Sequence, residues 1–122
     1  KTQSCGCCIA YAKRLEERGH VVEPRNLPMA SLMEMKVDSG IPPEMTGCHT
    51  SKVAGYTIEG HVPTEDIERL IAEAPDAIGL AVPGMPMGSP GMEYGESRDA
   101  YQVFLINKDG TTSVFNSYSA ID

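Results

Sequence analysis

The sequence has no run of basic residues. Ten Lys and Arg stand against seventeen Asp and Glu in 122 residues, for a formal charge of −7. Nucleic acid is therefore not an expected partner, whereas a metal ion or a cationic partner is compatible with the charge. No apolar stretch reaches the roughly 18 residues of a membrane-spanning helix. No signal peptide is visible, and Lys1 opens almost on the first motif, as expected of a mature or trimmed chain. Internal repeats are absent, as are paired carboxylates, a nucleophilic serine constellation and a phosphate-cradling glycine loop. The length fits one domain with a real core.

Four cysteines are the distinctive feature. Three of them lie in Ser4-Cys5-Gly6-Cys7-Cys8, immediately ahead of a helical pattern, and the last lies far away in Gly47-Cys48-His49-Thr50. Cys5 and Cys8 make a Cys-x-x-Cys pair, a spacing of thiol redox proteins in which a helix N-terminus acidifies the first thiol. Cys7 complicates that reading, because a dithiol exchanger needs one attacking and one resolving thiol. For a soft metal the extra thiolate is useful, since thiolates select Cu(I), zinc and iron–sulfur clusters. Four thiolates around one monovalent ion leave a large negative charge to bury, and several ions bring the cluster near neutrality. The crowding thus points to a polynuclear Cu(I) site. The bland alternative is buried or disulfide-paired structural cysteines. It fits poorly, because the neighbours Cys7 and Cys8 do not easily face one core.

Residues 7–18 read as a helix, with Cys8, Tyr11, Ala12 and Leu15 at helical spacing and Gly19 as its stop. Residues 20–24 read as a short strand ended by Pro24. Ser31-Leu32-Met33-Glu34 has the capping-box pattern of a second helix closing near Gly40, with Leu32, Met33 and Val37 toward the core. Two β-prone runs flank Ala54-Gly55 as a hairpin. Thr64-Glu65-Asp66 caps a third helix, with Ile67, Leu70, Ile71 and Ala74 on one face. Residues 75–100 form a Gly/Pro/Met-rich loop carrying Met85, Met87 and Met92. Thioethers suit Cu(I), and they serve equally as packing anchors. Residues 101–106 and 112–118 make a second hairpin around Lys108-Asp109-Gly110.

Helix, strand, helix, hairpin, helix is the order of a thioredoxin-like domain lacking only its first strand. The expected fold class is α/β. It is a thioredoxin-like mixed sheet flanked by helices, one domain over 1–122, with a C-terminal β-hairpin added at 101–118. In that fold the loop entering the first hairpin lies over the Cys-x-x-Cys turn and carries a cis-proline. Here the loop carries Cys48-His49-Thr50, which by analogy sets Cys48 beside Cys5, Cys7 and Cys8. His49 adjoins Cys48, and His61 follows the hairpin. Each is a candidate ligand or supporting donor, or else an inert histidine.

Together with those motifs, Gly55-Tyr56-Thr57-Ile58-Glu59-Gly60-His61-Val62-Pro63, Asp66-Ile67 and Gly79-Leu80-Ala81-Val82-Pro83-Gly84-Met85-Pro86 carry a family resemblance. The chain resembles the CopG-type copper-resistance proteins, long catalogued as a small metal-binding domain of unknown function. The resemblance implies a thioredoxin-like fold, a periplasmic or secreted location, and copper held by Cys5, Cys7, Cys8 and Cys48. Met85, Met87, Met92, His49 and His61 are added as flanking donors from their chemistry and position. The expected partners are copper ions and other periplasmic copper-handling proteins. Enzymatic activity stays open: a thiol–disulfide oxidoreductase or copper-linked reductase using Cys5 and Cys8 is the competing reading. A structural tetrathiolate zinc site ranks third, since such sites usually pair two separated Cys-x-x-Cys knuckles.

Overall fold

A computed structural model describes residues 1, 6–23, 25–47, 49–84, 86–93, 95 and 97–120, and of Cys7 the backbone alone. Among these residues, three α-helices, α1 (Gly6–Glu17), α2 (Met29–Asp38) and α3 (Thr64–Glu73), accompany a five-stranded mixed sheet. Its strands are β1 (Thr50–Val53), β2 (Tyr56–Glu59), β3 (Ala77–Ala81), β4 (Tyr101–Asn107) and β5 (Thr112–Tyr118), in the spatial order β1-β2-β3-β4-β5. The β2–β3 pair is parallel, with α3 as its crossover, and the other pairs are antiparallel.

The sequence explains most of these elements. Ala54 and Gly55 both have positive φ, 50° and 84°, the primed turn that matches the twist of a two-residue hairpin. The third strand is an apolar run, Ala77-Ile78-Gly79-Leu80-Ala81, suited to a central position between two neighbours. Gly79 is required there: a Cβ at this position would lie 1.7 Å from the Thr57 carbonyl oxygen. Leu80 belongs to a core cluster with Ile58, Val62, Ile67, Leu70, Val82 and Val103. Its neighbour Ala81 packs instead with Ile41 and Ile106. Alternation along the strand thus gives each face of the sheet its own apolar cluster.

Several expectations are corrected. Residues 77–81 are a central strand, although they fall at the start of the segment read as loop. The run is short, contains a glycine and abuts the proline-rich stretch, and its burial is supplied by β2 and β4 on either side. Residues 20–23 form no strand, and Pro24 lies outside the described residues. The backbone pairing near them involves Lys1, whose carbonyl accepts the Leu27 N–H at 2.8 Å and whose amino group donates to the Arg25 carbonyl at 3.2 Å.

Helix α2 starts at Met29 behind Pro28, with no side-chain cap, rather than at the Ser31 capping box. Leu32 is buried as expected, but Met33 and Val37 are 43% and 70% exposed, and Lys36 takes the inward position. The inward stripe is Leu32–Lys36 because Glu59, at the end of β2, gives a buried ammonium its partner. In α3, Ile67 and Leu70 are buried, whereas Ile71 is exposed and Ala74 is the left-handed C-cap. Its N-cap is Pro63 rather than Thr64. The C-terminal hairpin forms as read, with one irregularity between Val103 and Phe104.

Candidate metal centre

Helix α1 begins at Gly6, so Cys7 and Cys8 fall in its first turn, where backbone N–H groups lack intrahelical partners and the dipole is positive. Cys8 is buried and disulfide-bonded. Its partner sulfur lies outside the described side chains, among which Cys8 is the single cysteine. Cys5, Cys48 and Met85 lie outside the described residues.

Three residues beyond Cys8, Tyr11 points into the protein and is almost wholly buried. Its ring centroid lies 4.8 Å from that of His49 and 5.3 Å from that of His61, and the two imidazoles are 4.8 Å apart. The Tyr11 hydroxyl donates to the Val62 carbonyl at 2.6 Å, fastening α1 to the corner after β2. A triangle of buried rings thus joins the cysteine helix, the residue next to Cys48 and the turn bearing His61. In an extended segment, neighbouring residues point opposite ways, so His49 was as able to face solvent as protein. It faces α1.

Both imidazoles are kept neutral. Burial, then His61 and the Lys36 ammonium, lower His49 from the 6.5 of an exposed imidazole to about 3. Burial also lowers His61, against the opposing effect of the hydrogen bond it donates to the Pro90 carbonyl. The neutral ring is the form that ligates metal. His61 Nδ1 lies 2.6 Å from the Pro90 oxygen, and a carbonyl only accepts, so Nδ1 carries the proton. The lone pair is then on Nε2, the arrangement found in metal-binding histidines whose other nitrogen is held by a backbone oxygen. Burial likewise raises the Tyr11 phenol above its ordinary value and keeps it protonated.

The Met-rich loop is tied to the walls of this region. Pro90 holds His61, Glu93 pairs with Arg14 of α1 at 2.9 Å, and Gly84 bridges Gly47. Met87 and Met92 are half-buried on either side of Pro90. A groove of about 800 Å³ between α1 and β1 reaches Cys8, Tyr11 and His49. Among the described residues, no three His, Cys, Asp or Glu side chains gather as a metal-binding group. Of the expected site residues, the structure sets His49 and His61 ring to ring, lines one groove with Cys8 and His49, and hangs Met87 and Met92 on the loop that His61 holds. Tyr11 reads in the sequence only as part of an apolar stripe, and its spacing of three from Cys8 was the available signal. Nothing in the sequence pattern marks Lys36 or Glu59.

Comparison with solved structures decides the family. The chain matches "Copper resistance protein copG- Form 1" at 43% identity and a TM-score of 0.90, over 98% of this chain and 93% of that one. The chain belongs to the CopG family of copper-resistance proteins. A second CopG structure, "Form 2", matches at the same identity and TM-score over 97% of this chain and 93% of that one. A family model described as "Protein of unknown function, DUF411" matches residues 45–92. That span holds Cys48, His49, His61 and the methionine loop but not the first cysteine motif, so two parts of the CopG chain meet at the ring triangle. No curated protein matches. Among the described residues, no helix is long and apolar enough to cross a membrane.

Proposed function

We propose that this CopG-family protein is a periplasmic copper-binding protein of copper resistance. Cys5, Cys7, Cys8 and Cys48 hold a polynuclear Cu(I)–thiolate cluster. The observation that carries the reading is His49 packed 4.8 Å from Tyr11, which puts the chain neighbour of Cys48 against the helix bearing Cys7 and Cys8. The family and the soft donor set support copper over other metals. His49 and His61, both neutral, flank the cluster, and Met85, Met87 and Met92 supply thioethers from the loop above it. Thiolates favour Cu(I) and imidazoles accommodate Cu(II), so the two donor sets permit one-electron interconversion with an outside electron partner. The Cys8 disulfide belongs to an oxidised, copper-free form, and two electrons from an external reductant with two protons from solvent open it to two thiols before loading. The order of α1, the β1–β2 hairpin and α3 supports the thioredoxin-like topology and a single domain.

Anaerobic titration of the reduced protein with Cu(I) tests the proposal. More than one ion per chain is expected. Saturation at one ion removes the polynuclear part, and no binding removes the whole.

A second reading, a thiol–disulfide oxidoreductase, is favoured by one feature: a disulfide-bonded Cys8 in the first turn of a helix, lining an open groove. Turnover of a disulfide substrate that survives a strong copper chelator, and is lost in Cys5→Ser, would support it.

A further inference from the structure

Lys36 on α2 and Glu59 at the end of β2 form an ion pair whose side chains are 4% and 0% exposed. Neither residue is a candidate copper donor, yet among the described residues their other hydrogen bonds converge on one short segment. The Lys36 ammonium donates to the Gly47 carbonyl at 3.2 Å and to the Thr50 hydroxyl at 3.1 Å. The Glu59 carboxylate accepts the Gly47 N–H at 2.9 Å and the Thr50 hydroxyl proton. Both backbone polar groups of Gly47 are therefore taken up by the pair, and the Thr50 hydroxyl is used as donor and acceptor at once. Gly47 and Thr50 bracket Cys48 and His49 in the chain.

Stability alone does not account for this arrangement. The desolvation of two buried charges offsets their attraction, and apolar replacements of similar size are often neutral or better. The sheet holds only the far end of the segment: the β1 ladder begins at Thr50, and the His49 carbonyl accepts the Gly60 N–H at 2.9 Å. Gly47 has one isolated bridge to Gly84, with a long 3.4 Å bond from the Gly84 N–H to Thr46. Charge-assisted hydrogen bonds are short, strong and directional, which suits them to fixing Gly47, the end of the segment that the ladder does not reach.

We propose that Lys36 and Glu59 are positioning residues for the copper site, fixing Gly47 and Thr50 so that the donors between them in the chain are presented in one geometry. This rests on the copper-binding reading of the site. The pair is a brace, and it works through Gly47 and Thr50 without touching the metal.

The test uses the double variant Lys36→Met/Glu59→Leu, which removes both charges together and leaves neither orphaned. Two quantities are read. One is Cu(I) affinity of the reduced protein, by competition with a bidentate Cu(I) chelator. The other is hydrogen exchange of the Gly47 amide in the copper-free protein, with the Leu80 and Val103 amides as core references. The expected result is a Cu(I) affinity at least tenfold weaker and Gly47 exchange at least tenfold faster, with Leu80 and Val103 unchanged. A purely structural pair would move the core amides along with Gly47, or leave Gly47 alone, and either result overturns the proposal. So does wild-type Cu(I) affinity in a folded variant. If the unsubstituted protein takes up no Cu(I), the copper reading fails by itself, and with it the role claimed for the pair at that site. Should the double variant not fold, Glu59→Gln carries both readouts with the same criteria.

Discussion

Acid should weaken this protein well before its carboxylates titrate, and His49 sets the size of the effect. Buried beside Tyr11 and His61, its imidazole is held at about 3 against 6.5 for an exposed ring. As the pH falls through 6.5, the unfolded chain takes up a proton at this position, and the folded protein does not until near 3. The unfolded state therefore binds more protons across that window, so the contribution is fully present above about 6.5 and declines as the pH falls. Between pH 7 and 5 these two values favour the unfolded state by about 25-fold, or about 2 kcal/mol, from His49 alone. His61, also lowered by burial, acts in the same direction. Urea unfolding of the copper-free protein at pH 7, 6 and 5 measures the effect, and His49→Gln should remove its own share. Equal stability at pH 7 and 5 to within about 0.5 kcal/mol, or greater stability at pH 5, would refute the assignment of a buried neutral imidazole.

Three further outcomes are expected. Leu80→Ala, at a fully buried position of β3, should lower the urea-measured stability by about 2–5 kcal/mol, and a loss under about 1 kcal/mol would place Leu80 outside the core. Gly79→Ala would drive a methyl group into the Thr57 carbonyl and should abolish the cooperative thermal transition or cost more than about 4 kcal/mol. Tyr11→Phe leaves the Val62 carbonyl without its 2.6 Å donor and should cost about 1–3 kcal/mol, again by urea unfolding, with no change in the pH 7 to pH 5 difference from His49.

The helices and both hairpins could be read from the chain because each rests on local signals. The Ala54-Gly55 turn, the Lys108-Asp109-Gly110 turn and the Ile67/Leu70 stripe all report on residues a few positions away. β3 was hidden, since a five-residue apolar run containing glycine becomes a strand only when β2 and β4 enclose it. α2 misled for a related reason. Its apolar residues Met33 and Val37 suggest an inward face, but the inward position goes to a lysine whose carboxylate partner lies 23 residues away. At the site, the position of His49 next to Cys48 drew attention to the segment whose imidazole packs on Tyr11 of α1. The closure of the ring triangle did not show in the sequence, because it depends on which way His49 turns and on the Tyr11 bond to Val62. The Pro90 contact that fixes the His61 tautomer was equally invisible, since it joins a turn to a loop 29 residues on.

The most direct test of the central claim is metal analysis of the protein isolated from copper-fed cells, with Cys48→Ser analysed beside it. A cluster closed by the distant thiol predicts more than one copper per chain in the unsubstituted protein and a clear loss of copper in the variant. Zinc in place of copper, no metal on a fully reducible set of thiols, or an undiminished copper load in Cys48→Ser would contradict it.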